Sequence, residues 1–306
     1  IREVGIYLQS APATPLNIPG HIIEGNTLEN IVENGIRLDA DAAASKTQIR
    51  GNYVHMKGAA VAGIYVNPGD GTLIQGNSVD LKENTAIGAY GIVLKTSAQC
   101  TCSDNHVECV GNSSGACIQA DGLGLAGRDR LIIGGNHLIG GGDTAYGILV
   151  SADLVDQSQF VNNNIVDCMV GIGMAAGGDD IVVSGNAIFA ALAVTAGIEI
   201  RGGLIESTLA GNKIQLTGRG IHLVQLVADT SDRNSITGNI VKTLANALQI
   251  DEGERNTISG NRLESTAGGS VALYIAAGNK NVINGNSLAG SAFDADTFTT
   301  AGGNIY

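Results

Sequence analysis

The sequence predicts an all-β fold: a parallel solenoid of about eleven coils, with three parallel sheets and an internal ladder of asparagines. Three observations carry this. The first is a recurring Gly-Asn, at Gly25-Asn26, Gly51-Asn52, Gly76-Asn77, Gly135-Asn136, Gly185-Asn186, Gly211-Asn212, Gly238-Asn239, Gly260-Asn261 and Gly285-Asn286, with Asp104-Asn105 and Asn163-Asn164 filling the gaps. With Asn164 taken as the ladder residue of its pair, successive asparagines stand 22 to 31 residues apart, a period that means stacked units rather than one closed globule. The second is a pair of apolar columns around each Asn. The third is a Gly-Ile-x-Leu segment about ten residues after it.

Each element of the coil follows in order. Three residues before the Asn stand Ile23, Ile49, Ile74, Cys102, Ile133, Val161, Val183, Leu209, Ile236, Ile258 and Ile283. Two residues after it stand Leu28, Val54, Val79, Val107, Leu138, Val166, Ile188, Ile214, Val241, Leu263 and Leu288. Both columns are expected to face inward from short strands on either side of the Asn turn. The third strand runs from Gly5-Ile6-Tyr7-Leu8 to Ala272-Leu273-Tyr274-Ile275, and its alternation of apolar and variable residues is the period-two signature of one buried face. A helical reading fails because apolar spacing never settles at three and four, and Gly recurs too often for helix interiors.

The asparagines read as structural. Asn tolerates the left-handed backbone of a tight turn, and stacked amides hydrogen-bond from coil to coil. Asn234, Asn256 and Asn281, five residues before their ladder positions, suggest a second, shorter ladder. The solenoid is expected over residues 1–290, with 291–306 a tail whose Phe293 and Phe298 would cap an end.

Composition narrows the partners. A net charge of -12 works against nonspecific binding to nucleic acid or an anionic membrane, both of which need a basic footprint. No apolar run approaches the roughly 18 residues a bilayer span needs. Ile1-Arg2-Glu3-Val4 reads as mid-strand, so either a longer protein or a removed export signal is expected. The five cysteines fall in core columns and read as free thiols, with Cys109 and Cys168 separated by the coil of Gly140. Gly122 to Gly127 matches a dinucleotide fingerprint, but another strand follows where a helix is required, so it reads as a turn.

The Asn turn with its flanking aliphatics and the Gly-Ile-x-Leu strand resemble the right-handed parallel β-helix, or pectate-lyase-like, superfamily from about residue 5 to 290. The resemblance implies that Gly-Ile-x-Leu forms the first sheet, that the Asn turn joins the second sheet to the third, and that substrate groups lie on the outer face of the first sheet. It also implies a cover for the open coil end: a further domain, the tail, or a homo-oligomer, trimeric if virion-associated. Lyases, hydrolases, epimerases, tailspikes and adhesins share these repeats, so the resemblance speaks to fold more than to activity.

Candidate site residues are therefore sought on that face. Its middle column runs Tyr7, Arg37, Tyr65, Val93, Gln119, Leu149, Gly173, Glu199, His222, Gln249, Tyr274, and the next runs from Gln9, Asp39, Asn67, Lys95 and Asp121 to Arg201 and Asp251. Sugars stack on tyrosine rings and bond to their hydroxyls, which points to a polysaccharide. Two polar clusters stand on either side of a bland stretch from Leu149 to Ala175. In the first, Arg37, Tyr65 and Lys95 offer the neutralising cation and base of a β-elimination, with Asp39, Asn67 and Asp121 as binding groups. In the second, Glu199, Arg201 and His222 are the catalytic candidates, with Glu199 and His222 lateral neighbours that would tune each other, and Gln249, Asp251 and Tyr274 join Tyr7 as binding candidates.

A lyase or epimerase is favoured over a glycoside hydrolase, because the spacing of Glu199 and Asp251 is marginal for a carboxyl pair and hydrolysis would need a carboxylate from a loop. No cofactor is called for. Asp39, Asp41 and Asp70 would suit calcium but are more simply solvated. The expectation is an extracellular, cell-surface or virion module that engages a polysaccharide. The alternative is a non-catalytic structural or adhesive shaft.

Overall fold

The computed structural model describes residues 2–9, 20–39, 46–58, 61–67, 71–84, 88–95, 99–110, 115–121, 130–141, 144–151, 156–191, 194–224, 231–278 and 280–290. Asp41, Asp70, the Gly122 to Gly127 turn and the tail with Phe293 and Phe298 lie outside the described residues. What is described is all-β and parallel. One sheet, the strands before each ladder Asn, has eleven strands in sequence order. The strands after the Asn and the Gly-Ile-x-Leu strands form two further ladders. They count as one sheet of 21 strands because the segment Thr27–Asp39 runs unbroken round the corner between them. Among the described residues the first rung holds only Arg2–Gln9 and the last only Val282–Asn284 and Ser287–Ala289, so the complete coils described are fewer than the eleven asparagines suggest. A fourth, two-stranded sheet, Gly178–Asp179 with Leu204–Ile205, braces one outer corner.

The core is the set of aliphatic ladders the columns predict. Ile49, Ile74, Ile133, Val183, Leu209, Ile236 and Ile258 are completely buried, and so are Val54, Val79, Val107 and Leu138 across the corner. Between them stands the asparagine ladder. Asn212 is typical: its Nδ2 donates to Val183 O at 2.9 Å and to Asn239 Oδ1 at 2.9 Å, while its Oδ1 accepts from the backbone N and the Nδ2 of Asn186 at 3.1 and 3.0 Å. The amide satisfies backbone groups that the bend would leave unpaired in an apolar interior.

Two expectations at this corner are corrected. The left-handed residue is the one before the ladder Asn: Gly51 (φ 61°), Gly211 (φ 63°) and, in the coils without glycine, Asp104 (φ 57°) and Asn162 (φ 56°). Glycine pays no Cβ penalty there, and Asp and Asn are the residues that tolerate the region best after it. The ladder member of the Asn-Asn pair is Asn163, which accepts from Asn136 and donates to Asn186, rather than Asn164. The one-residue slip reverses the side chains of the two strands that flank this Asn: Phe160 and Ile165 fill the core, whereas Val161 and Val166 face outward.

A second ladder is present and longer than expected. Ser207 Oγ accepts from Ile181 N at 2.9 Å, Asn234 Oδ1 from Ser207 N at 3.0 Å, Asn256 Oδ1 from Asn234 N at 2.9 Å, and Asn281 Oδ1 from Asn256 N at 3.0 Å. All five cysteines are buried free thiols. Burial pushes the Cys102 thiol well above its usual range. The Cys117 and Cys168 thiols donate to the carbonyls of Ile139 and Val166, at 3.8 and 3.7 Å, and the neighbouring Cys109 and Cys168, together with burial, push the Cys117 thiol up. The missing side chain of Gly140 makes the room: a Cβ there would lie 2.8 Å from Cys168 Sγ.

Candidate active face

The outer face of the first sheet is in the register that the columns predict. Tyr7 pairs with Arg37, Arg37 with Tyr65, Tyr65 with Val93, and the series continues through Gln119, Leu149, Gly173, Glu199, His222 and Gln249 to Tyr274. Each residue of the column is thus about 4.8 Å from its neighbours along the solenoid.

In the first cluster the structure joins Tyr7, Arg37, Asp39 and Tyr65 and adds Glu33. The Arg37 guanidinium lies between two tyrosine rings, 5.6 Å from the Tyr7 centroid and 5.3 Å from that of Tyr65. Its Nε donates to Asp39 Oδ2 at 2.7 Å, and its NH1 lies 3.3 Å from Glu33 Oε1. Tyr7 donates its hydroxyl to the same Asp39 oxygen at 3.3 Å. Those contacts engage the charge that a uronate would need. They also engage Asp39, the one described member of the proposed calcium set. Asn67 is in register with Asp39, and Lys95 with Asp121. Asp121 is tied into a separate chain, accepting from Ser151 Oγ at 3.1 Å, which in turn accepts from Gln119 Nε2 at 3.1 Å.

The second cluster is more deeply set. Glu199 and His222 are each 5% exposed. Arg201 directs Nε and NH2 to one oxygen, Glu199 Oε1, at 2.9 and 2.8 Å, while its own side chain stays 52% exposed. Glu199 and His222 are adjacent in register, but the hydrogen-bond partner of His222 is Asp251: Nε2 lies 3.2 Å from both carboxylate oxygens. Gln249 Nε2 donates to Asp251 Oδ1 at 2.8 Å and Asn246 Nδ2 donates to Gln249 Oε1 at 3.0 Å, a relay that fixes the carboxylate. Burial lowers the His222 pKa, against the raising effect of Asp251. With Nε2–H donated to a carboxylate, Nδ1 is left as a buried acceptor without a partner.

The stretch that looks bland in the sequence holds a concavity. Gly173 is the glycine of the middle column, and the gap it leaves is a notch of about 40 Å³ lined by Tyr146, Leu149, Gly173, Met174, Ala175, Glu199 and Arg201. Tyr146 forms one wall; a Cβ on Gly173 would lie 2.6 Å from its ring. Sequence reasoning passed over this site because it looked for functional groups. The available signal was the single missing side chain between Leu149 and Glu199.

With the face described, comparison with known proteins places the chain. A family profile described as "Periplasmic copper-binding protein (NosD)" matches residues 2–192 and 224–306. The chain belongs to the NosD family. No curated protein matches it. Among solved structures, this NosD-family chain is similar to the Dettilon tailspike protein gp208 (14% identity, TM-score 0.57, covering 87% of this chain and 55% of that one). It is also similar to the enzymatically active domain of tailspike protein 2 of bacteriophage CBA120 (13% identity, TM-score 0.51, covering 86% and 39%). At such identity the likeness is one of fold, and the chain spans about half the length of the first and less of the second.

The NosD description raises the question of copper, and the described residues offer no set that fits it. Among the described residues, no group of three or more His, Cys, Asp or Glu stands close enough to hold a metal. His106 and His137 meet edge to face on the third sheet with centroids 5.1 Å apart. Glu108 beside them lies 3.9 Å from His106 Nε2 and is bound by Lys82 Nζ at 2.7 Å. The two imidazoles and the carboxylate do not converge as a metal-holding group. The Cys102 and Cys117 thiols are pushed up in pKa, which opposes the thiolate that a soft metal needs. Among the described residues no helix is long and apolar enough to cross a membrane.

Proposed function

We propose that this chain is a polysaccharide-binding β-solenoid that engages its ligand along the outer face of the first sheet, centred on the notch at Gly173. The observation that carries the reading is the notch itself: a concavity walled by an aromatic ring, with an ion-paired guanidinium on its rim, set in a face bearing Tyr7, Tyr65 and Tyr274. Rings of this kind stack on sugars, and a guanidinium supplies donors to their oxygens. The family description supports a place outside the cytoplasm, in the periplasm.

A second reading, depolymerisation, draws on His222. Its imidazole is held neutral by burial and oriented by Asp251, one rung from Glu199 and Arg201. For lyase chemistry, a base removes the proton α to a neutralised carboxylate and the β C–O bond breaks, leaving an unsaturated end. The second cluster supplies an imidazole base that the first lacks, while the arginine of each cluster is already ion-paired, Arg201 to Glu199 and Arg37 to Glu33 and Asp39. The test is a panel of neutral and uronate polysaccharides, with binding by calorimetry and cleavage by absorbance at about 235 nm and by reducing ends. Binding without cleavage supports the binding module. Cleavage lost in His222→Ala supports the depolymerase, and neither binding nor cleavage would leave a structural shaft.

A further inference from the structure

We infer that the Gly173 notch is a subsite for the acetyl group of an acetylated sugar, N-linked or O-linked. The inference rests on the polysaccharide reading above and adds the chemical class of the ligand. Three features of the notch carry it.

The first is size. About 40 Å³ is available, and a single water needs roughly 10–15 Å³, so the notch holds about three heavy atoms. That is too little for a pyranose ring, but it matches the carbonyl carbon, oxygen and methyl of an acetyl group.

The second is polarity. Leu149, Gly173, Ala175 and the Tyr146 ring contribute apolar lining, and the charged groups of the notch are those of Glu199 and Arg201. A hydroxymethyl or hydroxyl would leave its oxygen against apolar surface. An acetyl group places its methyl on the apolar lining and its carbonyl oxygen toward the rim.

The third is charge. Arg201 gives two of its donors to Glu199 Oε1 and is half-exposed, so further N–H groups face the rim. Its charge is matched by the buried Glu199 carboxylate, in a chain of net charge -12. A ligand carboxylate would therefore stand beside a fixed carboxylate. A neutral carbonyl accepts the same guanidinium hydrogen without that repulsion.

The test titrates the full chain by calorimetry with matched ligands: N-acetylglucosamine oligomers against glucosamine oligomers of the same length, an O-acetylated neutral polysaccharide against its saponified form, and polygalacturonate. The O-acetyl pair controls for charge. The expected result is a preference for the acetylated member of each pair on the order of tenfold or more, from a buried methyl and a charge-assisted hydrogen bond. In Gly173→Ala, whose methyl occupies the notch and displaces the Tyr146 ring, the preference should collapse to about twofold or less while thermal unfolding stays cooperative. Tyr146→Ala is the second variant, which removes the wall without adding volume and should weaken the acetylated ligands most. Equal or tighter binding of the deacetylated or uronate ligands overturns the acetyl assignment and leaves the polysaccharide reading standing. Binding to none of the glycans overturns the polysaccharide reading and the assignment with it.

Discussion

The asparagine corner and the outer face of the first sheet are built on the same rungs, yet they obey opposite rules. At the corner, the neighbour of each residue along the solenoid is a copy of itself. Asn186 sees Asn163 on one side and Asn212 on the other, and the three bonds it makes are those made by Asn239. On the face, neighbours differ, and they decide what a residue does. Two arginine–carboxylate pairs show it. Arg37 and Asp39 are two residues apart on one strand, as are Glu199 and Arg201 on another, in reversed order. Arg37 falls between Tyr7 and Tyr65 and is stacked into a closed cluster. Glu199 falls between Gly173 and His222, so its carboxylate is buried and its arginine is left at the rim of a notch. The same two-residue chemistry becomes a surface clasp in one place and a candidate binding site in the other.

The largest expected effect tests the corner. Asn163→Ala should cost roughly 3 kcal/mol, because it takes the partner from Asn136 N and from one of the two Asn136 Nδ2 hydrogens, and the side-chain donor from the Ile133 carbonyl, in the buried core. Asn164→Ala, one residue away on the outward face, should stay within about 0.5 kcal/mol. Urea unfolding midpoints of the two variants check this, and equal costs would break the assignment of the ladder to Asn163.

The face should show the next contrast. Arg201→Ala strips the partner from a carboxylate that is 6% exposed, and should destabilise by about 2 kcal/mol, a figure discounted for the solvent around the arginine. Arg37→Ala removes a pair whose side chains are 32% and 21% exposed, and should cost about 1 kcal/mol or less. Comparable losses in the two variants would show that the rung neighbours do not matter as argued.

The smallest effect is a pH dependence. The folded His222 pKa lies below its free value of about 6.5, so above that pH both folded and unfolded forms are neutral and the full contribution is present. As pH falls below 6.5 the unfolded chain takes up the proton first, and stability declines until the pH has passed the folded value. His222→Gln should flatten that part of the stability–pH profile. A wild-type profile that rises as the pH falls below 6.5 would reverse the assigned sign.

Much of the fold is legible in the chain, because a solenoid turns sequence position into spatial position. The columns around Asn52, Asn77, Asn105 and Asn136 identify the core residues, and counting forward gives the face register from Tyr7 to Tyr274 without error. The count slips at Asn163-Asn164, since Phe160 and Val161, and Ile165 and Val166, are equally apolar candidates for the two inward positions. Only closure of the hydrogen bonds to Asn136 and Asn186 distinguishes them. The candidate site was legible as a face but not as a place on it. His222 found Asp251 rather than Glu199, and the concavity lies at Gly173, a residue with no functional group to read.

The sequence by itself therefore determined the coil: which residues turn, which pack inward and which share the outer face. Those properties are periodic, and each repeat states them again in the same residue types. The tertiary structure alone decided which outer residues act together. The contacts of Arg37, Glu199 and His222 are set by side chains one coil away, about 25 residues along the chain, and by whether the position between them carries a side chain at all.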